Sequence, residues 1–146
     1  MSKLYFAYGS NLNKTRMASR CPTARPVGSA MIYGWELVFR GVADIKKSKD
    51  PNMLLPIGLW EIEPEDEREL DVYEGYPHLY GKRHVAGIMT YTMHTDVIAP
   101  PSTHYFNTIL EGYRDFGLDT SYLYDAAGWA GWESSYTDNV YGMEIA

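Results

Sequence analysis

The chain has 146 residues and a mass of 16.6 kDa, with 45% hydrophobic and 22% charged residues. This length predicts one domain, and the composition is that of an ordinary globular protein, not of a collagen-like, disordered or coiled-coil chain. The 13 Lys plus Arg and 19 Asp plus Glu give a net charge of −6. Phosphate binding needs concentrated positive charge, so nucleic acid is not expected as a partner.

The residue pattern also predicts the compartment and excludes several kinds of site. No apolar run is long enough to cross a bilayer, and the apolar stretch after Lys3 is too short for a signal-peptide core. We therefore expect a cytoplasmic protein with no membrane partner. A single cysteine, Cys21, rules out an internal disulfide and a multi-cysteine metal site. The four histidines lack the spacing of a helical metal site; they are His78, His84, His94 and His104.

The chain opens with a predicted strand, a tight loop and a helix. Residues 4–8 form a short aromatic apolar run, which is typical of a buried strand and ends at Gly9. Residues 14–20 have helical composition, and the helix must end before Pro22. Either Asn11 or Asn13 can cap it.

Extended segments dominate the middle of the sequence. Residues 27–39 predict two strands that pair with each other around Gly34. Residues 43–45 predict another short extended piece, and residues 55–62 a further strand.

The pattern changes to helix at Pro64, where a proline in the first turn is followed by acidic residues at the positive end of the helix dipole. This helix should run to about Glu74, because Gly75 and Pro77 follow it. Three later elements are predicted: a strand over residues 83–93, a helix capped by Ser102, and a short helix over residues 120–127.

Residues 1–127 are predicted to form the domain, and residues 128–146 an aromatic tail. We expect the tail to pack on the domain, because exposed tryptophans are costly. A tail used in self-association, and with it a homodimer, is the alternative. The tail aromatics are Trp129, Trp132, Tyr136 and Tyr141.

The loop Tyr8-Gly9-Ser10-Asn11-Leu12 lies where a strand meets a helix. A turn at this place exposes backbone N–H groups at the positive end of the helix dipole, where they can bind an anion or oxyanion. The same sequence can also serve as a simple turn. It lacks the lysine of a P-loop and the spaced glycines of a dinucleotide-binding motif.

Glu74 is the acidic residue that helical spacing separates from its neighbours. It follows Leu70 by four residues, on the apolar side of the helix, and occupies the last turn, where the dipole disfavours negative charge. Burial and dipole would both raise its pKa, as a base that later returns its proton requires. A solvated acid beside Gly75 is the other interpretation, and spacing alone favours it.

Four segments resemble the gamma-glutamylcyclotransferases, in the same order along the chain. The first is Leu4-Tyr5-Phe6-Ala7-Tyr8-Gly9-Ser10-Asn11-Leu12, which is similar to the family's opening motif. The second and third are Gly58-Leu59-Trp60 and Leu70-Asp71-Val72-Tyr73-Glu74-Gly75, and Ala99-Pro100-Pro101-Ser102 begins the fourth. The resemblance covers most of residues 4–124.

The resemblance implies an α+β fold, a small mixed β-barrel with flanking helices, that needs no metal or cofactor. It implies an enzyme that releases 5-oxoproline and a free amine from a small gamma-glutamyl substrate. Glu74 would be the general acid/base, and the loop from Tyr8 to Leu12 would bind the gamma-glutamyl group through backbone amides. The cavity would be lined by Tyr80, Tyr91 and Tyr105.

Two features differ from the family pattern: the stretch from Tyr80 to Tyr91 is short, and Lys82-Arg83-His84 adds positive charge. Related branches of the family act on gamma-glutamylamines such as isopeptide-linked lysine, on glutathione, or on a gamma-glutamyl-protected antibiotic precursor. The sequence does not choose among them. A protein that binds and sequesters a small ligand without turnover is the alternative function.

Overall fold

The computed structural model of the chain describes residues 1–133, which form a mixed α+β fold and confirm the predicted class. Within these residues no helix has the length and apolar character needed to cross a membrane. The elements in chain order are β1 (Lys3–Ala7), α1 (Lys14–Arg20), β2 (Arg25–Tyr33), β3 (Trp35–Arg40), β4 (Val42–Lys47), β5 (Leu54–Ile62), α2 (Pro64–Tyr73), β6 (Tyr80–Val85), β7 (Ile88–Met93), α3 (Thr103–Asp115) and α4 (Ser121–Trp129).

The strands form two sheets. The larger has the order β2-β5-β1-β7-β6, with β1 at its centre, antiparallel to β5 and parallel to β7. The smaller sheet pairs β3 with β4. The Asp44 carboxylate of β4 accepts the Met93 N–H of β7 at 3.0 Å and so links the two sheets. The barrel implied by the resemblance is therefore two packed sheets in residues 1–133, and their hydrogen bonds do not close into one ring.

Two predictions about the strands are wrong. The strands in residues 27–39 do not pair with each other, because β2 pairs with β5 and β3 pairs with β4. Gly34, at φ 79°, is the point where the chain passes from one sheet to the other. Residues 83–93 form part of a hairpin and not one strand, since Ala86 and Gly87 both adopt positive φ and turn the chain between β6 and β7.

The helix starts agree with their sequence signals. The Asn13 side chain accepts the N–H of Arg16 at the start of α1, and the Ser102 side chain accepts the N–H of Tyr105 at the start of α3. Asn13 also donates from Nδ2 to the carbonyl of Thr108 at 3.0 Å. One side chain therefore caps α1 and ties it to α3, on which the site loop rests.

The tail begins within an element of the domain, since α4 continues to Trp129. Trp129 is exposed, whereas Trp132 stacks on Phe106 of α3 with ring centroids 4.0 Å apart. Tyr136 and Tyr141 lie outside the described residues. The division at residue 127 stays a prediction, as does packing of the whole tail.

Gly112 of α3 is a point of close approach between this helix and the site loop. A Cβ at Gly112 would stand 2.6 Å from Leu12 Cβ and 2.7 Å from the backbone nitrogen of Asn13. Gly112→Ala is therefore expected to lower the free energy of unfolding by about 1–3 kcal/mol, because backbone atoms must move. Urea denaturation measures this change.

Gly128→Ala in α4 is the matched control for Gly112→Ala. It lies at an exposed helical position with no atom within 4 Å of the new Cβ. It should stabilise the protein by about 0.5–1 kcal/mol, because alanine loses less backbone entropy in a helix. A Gly112→Ala protein as stable as the Gly128→Ala protein would contradict the close approach seen here.

Candidate active site

A cavity of about 290 Å³, its open mouth included, lies between the end of β1, the strands β4, β6 and β7, and the helix α3. Eight of the nine site residues predicted from the sequence line it, and Tyr5 and Ala43 were not predicted. The lining residues are Tyr5, Tyr8, Gly9, Ser10, Asn11, Ala43, Glu74, Tyr80, Tyr91 and Tyr105.

The loop after β1 is held by neighbouring elements in one conformation. A Cβ on Gly9 would lie 2.9 Å from Ala43 Cβ, so only glycine fits without movement of β4. The indole Nε1 of Trp60 donates to the carbonyl of Asn11 at 2.9 Å. The backbone N–H groups of Ser10 and Asn11 have no hydrogen-bond partner within residues 1–133. Both residues line the cavity, so these amides are the donors that a ligand oxygen could use.

Leu12 is the one predicted site residue that the structure does not bring into the cavity. Its side chain is fully buried against Gly58 and Gly112. Its backbone N–H donates to the carbonyl of Gly9 at 3.0 Å and is therefore engaged within the turn. Leu12 anchors the loop to the core, which explains its place in the motif without ligand contact.

Glu74 is the carboxylate in the cavity wall. It caps the C-terminus of α2, is half-buried, and accepts a hydrogen bond on Oε2 from Asn11 Nδ2 at 2.9 Å. Burial raises the pKa of Glu74 to about 7, and the positive charge of Arg20 and the Asn11 hydrogen bond oppose that rise. The carboxyl group can therefore both accept and release a proton near neutral pH.

The tyrosine hydroxyls of the cavity are engaged mainly in holding its walls. Tyr8 donates to the carbonyl of Tyr91 at 2.6 Å, and Tyr80 donates to the carbonyl of Ala43 at 2.7 Å. The Ala43 N–H in turn donates to the Tyr105 hydroxyl at 3.0 Å, and Tyr91 donates to Asp71 Oδ1 at 2.6 Å. These bonds tie β4, β7 and the helices α2 and α3 together around a cavity of fixed shape.

The tyrosines that line the cavity stay neutral near pH 7. Burial is the main cause that raises the pKa of every lining tyrosine above its usual value. Burial also raises the pKa of the Cys21 thiol to about 12, so this cysteine is not a nucleophile at neutral pH. No group of three or more His, Cys, Asp or Glu suited to a metal ion occurs in residues 1–133.

The site is thus a small cavity with one carboxyl group that titrates near neutral pH and a loop that presents backbone amides. The sequence profile of the family described as "Gamma-glutamyl cyclotransferase, AIG2-like" matches residues 5–112. The chain belongs to this family.

Solved structures agree with this assignment. A structure described as a gamma-glutamyl cyclotransferase is 26% identical, with a TM-score of 0.74, and the match covers 100% of this chain and 94% of that one. An uncharacterized protein from Homo sapiens is also 26% identical, with a TM-score of 0.72 and coverages of 99% and 94%. YkqA from Bacillus subtilis shares the fold, at 22% identity, a TM-score of 0.69 and coverages of 88% and 54%. No curated protein matches the sequence.

Proposed function

We propose that the protein is a gamma-glutamyl cyclotransferase that converts a small gamma-glutamyl amide into 5-oxoproline and a free amine, with Glu74 as general acid/base. The observation that carries this proposal is the half-buried Glu74 carboxyl, whose pKa is raised to about 7, in one cavity with the unpaired amides of Ser10 and Asn11. Family membership supports the same class of reaction.

The first step is a proton transfer. The α-amine of the substrate is mainly protonated at neutral pH, and it cannot attack until it loses a proton. Ionised Glu74 accepts that proton, and the neutral nitrogen then attacks the gamma-carbonyl carbon and closes a five-membered ring. Both reacting groups belong to one molecule, so a cavity that holds the substrate folded lowers much of the barrier by proximity.

The second step expels the amine. The backbone N–H groups of Ser10 and Asn11 stabilise the oxyanion of the tetrahedral intermediate. Glu74 returns its proton to the leaving nitrogen and the original amide C–N bond breaks. Glu74 then takes the extra proton of the new ring nitrogen and passes it to the departing amine, which leaves as an ammonium ion. The products are 5-oxoproline and the amine, and neither water nor a covalent enzyme intermediate takes part.

The size of the cavity restricts which part of the substrate enters. The cavity is small, about 290 Å³ with its open mouth included, and tyrosine side chains form much of its wall. It therefore suits the gamma-glutamyl group, with the leaving amine directed to the mouth. Substrates that share this group and differ in the amine should then differ mainly at the rim.

The pH dependence of the reaction follows from the raised pKa of Glu74. Glu74 must be ionised to accept the first proton, so kcat/KM should rise with pH and level off above about pH 7. Below that value the rate should fall about tenfold for each pH unit. Measurement of kcat/KM between about pH 3.5 and pH 8 at constant ionic strength checks this. A half-maximal rate near pH 4.5, the usual pKa of a glutamate, would show that burial does not raise the pKa of Glu74.

The proposal is tested by 5-oxoproline release from a panel of gamma-glutamyl dipeptides, gamma-glutamyl-ε-lysine and glutathione. Release from one or more members supports the reaction and identifies the leaving amine. Binding of a panel member without release would instead support a sequestering protein on the same fold. If no panel member binds and none releases 5-oxoproline, gamma-glutamyl ligands of these kinds are excluded.

A further inference from the structure

The Asn11 side chain has every hydrogen-bonding group engaged. Its Nδ2 donates to Glu74 Oε2 and to the hydroxyl of Tyr5, both at 2.9 Å, and its Oδ1 accepts from Arg20 Nη1. A guanidinium has donors and no acceptor, so only the amide oxygen can face Arg20. The amide nitrogen is therefore forced to face Glu74. The orientation of this amide follows from Arg20 and is not a free choice.

Arg20 itself is held firmly although it lies outside the cavity lining. It is the last residue of α1, and its guanidinium carbon lies 3.3 Å from the centre of the Tyr73 ring, which precedes Glu74. Nη2 is buried and has no hydrogen-bond partner within residues 1–133. Stacking on an aromatic ring holds a guanidinium in a fixed plane, so Arg20 links the end of α1 to the end of α2.

Among residues 1–133, Arg20 is also the residue whose positive charge acts on Glu74. The other titratable side chains whose charge would act on Glu74 are tyrosines, which burial keeps neutral: Tyr5, Tyr8, Tyr80 and Tyr105. The environment of Glu74 thus combines one guanidinium with neutral hydroxyls. Replacement of Arg20 should therefore change the pKa of the Glu74 carboxyl more than removal of any of these hydroxyls.

We propose that Arg20 is a positioning residue that fixes the Asn11 amide toward Glu74 Oε2 and so leaves Oε1 as the oxygen that exchanges the proton with the substrate. The part that concerns the substrate rests on the proposed function. Within residues 1–133, the hydrogen bonds of the Glu74 carboxyl go to Oε2 only. A donor fixed on Oε2 opposes protonation of that oxygen and directs the proton to Oε1.

The test follows Glu74 directly, by ¹³C NMR of the carboxyl carbon in glutamate-labelled protein, with Glu74→Gln used to assign the resonance. In Arg20→Met, which has neither charge nor donor, the Glu74 titration should move to higher pH by about one pH unit. Arg20→Lys, which keeps the charge and a donor, should recover at least half of that displacement. At pH 8, kcat for Arg20→Met should fall about tenfold with little change in KM.

The matched control is Arg68→Gln, which removes an exposed guanidinium from α2; the Arg68 side chain makes no hydrogen bond or ion pair within residues 1–133. It should leave the Glu74 titration unchanged. A purely structural role for Arg20 would lower the melting temperature of Arg20→Met without moving that titration. If Arg20→Met behaves as Arg68→Gln does, the proposal is wrong.

A second measurement uses the native chain and needs no variant. The NMR signals of the Asn11 Nδ2 protons should shift with the same pH midpoint as Glu74, because one of these protons bonds to the Glu74 carboxylate. Asn11 signals that do not change as Glu74 titrates would overturn the proposal.

If Arg20→Met does not fold, Arg20→Gln replaces it, since glutamine is uncharged and can donate or accept. These resonances decide the role of Arg20 even if no panel member yields 5-oxoproline, which would refute the proposed function separately.

Discussion

Replacement of Glu74 by glutamine is expected to lower kcat for 5-oxoproline release by roughly 10²- to 10⁴-fold, the usual contribution of general acid–base catalysis. Glutamine has nearly the same shape, and its carbonyl oxygen can still accept from Asn11 Nδ2, so the cavity should keep its form. The KM should therefore change far less than kcat. Glu69→Gln, an exposed position of the same helix, is the control and should leave both constants unchanged.

The same substitution should stabilise the folded protein at high pH. The pKa of Glu74 is about 7 in the folded chain against a usual value near 4.5, so the folded state binds the proton more tightly than the unfolded state. Native stability is therefore lost as pH rises from about 4.5 to 7, and Glu74→Gln is free of that loss. At pH 8 the variant should be more stable by up to about 3 kcal/mol, and near pH 4.5 the two proteins should be alike.

Urea denaturation at both pH values measures this difference. A glutamine variant that is no more stable than the native protein at pH 8 would mean that the burial of Glu74 carries no energetic penalty. Loss of activity together with increased stability would separate a catalytic role from a structural one, because a structural carboxylate would show the opposite effect on stability.

Removal of the Asp44 carboxylate is expected to lower the free energy of unfolding by about 3–5 kcal/mol. Asp44 Oδ2 accepts from Arg40 Nε at 2.7 Å, and the two side chains are only 3% and 7% exposed. Asp44 Oδ1 also accepts the N–H of Met93. Asp44→Ala would leave a buried guanidinium and a buried N–H without partners. Activity should fall too, because the adjacent Ala43 lines the cavity.

A double-mutant cycle separates the loss of stability caused by the unpaired Arg40 charge from the loss caused by the missing Asp44 side chain. Arg40→Met with Asp44→Ala should be considerably more stable than Asp44→Ala alone, since the stranded charge is gone. Glu61→Ala is the matched control, because it breaks an ion pair with Arg25 of similar length, 2.8 Å, at the surface. Its effect should be much smaller. If Asp44→Ala and Glu61→Ala lower the free energy of unfolding equally, the buried pair does not stabilise the two sheets more than a surface ion pair does.

Local chemistry explains what the sequence could predict. Asn13 and Ser102 accept the backbone N–H groups that their positions suggested, and Pro64 opens α2. Such features depend on residues within one turn of each other. The sequence does not predict the hairpin turn at Ala86 and Gly87, because alanine at φ 53° is unusual and a single glycine inside a strand-like run is a weak turn signal.

Long-range pairing explains what the sequence could not predict. The partners of β2 and β3 are chosen by the sheets as a whole, and nothing near Gly34 reveals them. Ala43 enters the cavity wall because two tyrosines from distant elements bond to its backbone, and alanine gives no chemical sign of this. Arg20 is linked to Glu74 by hydrogen bonds through Asn11, and the sequence alone does not show that these three residues meet.

The stacking of Trp132 on Phe106 determines where the chain can be shortened for study. Phe106 follows the cavity residue Tyr105 on α3, and the Trp132 ring covers it at an interplanar angle of 16°. A chain cut after residue 127 or 128 would uncover Phe106, and altered self-association or activity could then reflect a disturbed α3. A chain that ends at Glu133 keeps the ring in place, so any change in its sedimentation or turnover belongs to residues 134–146 themselves.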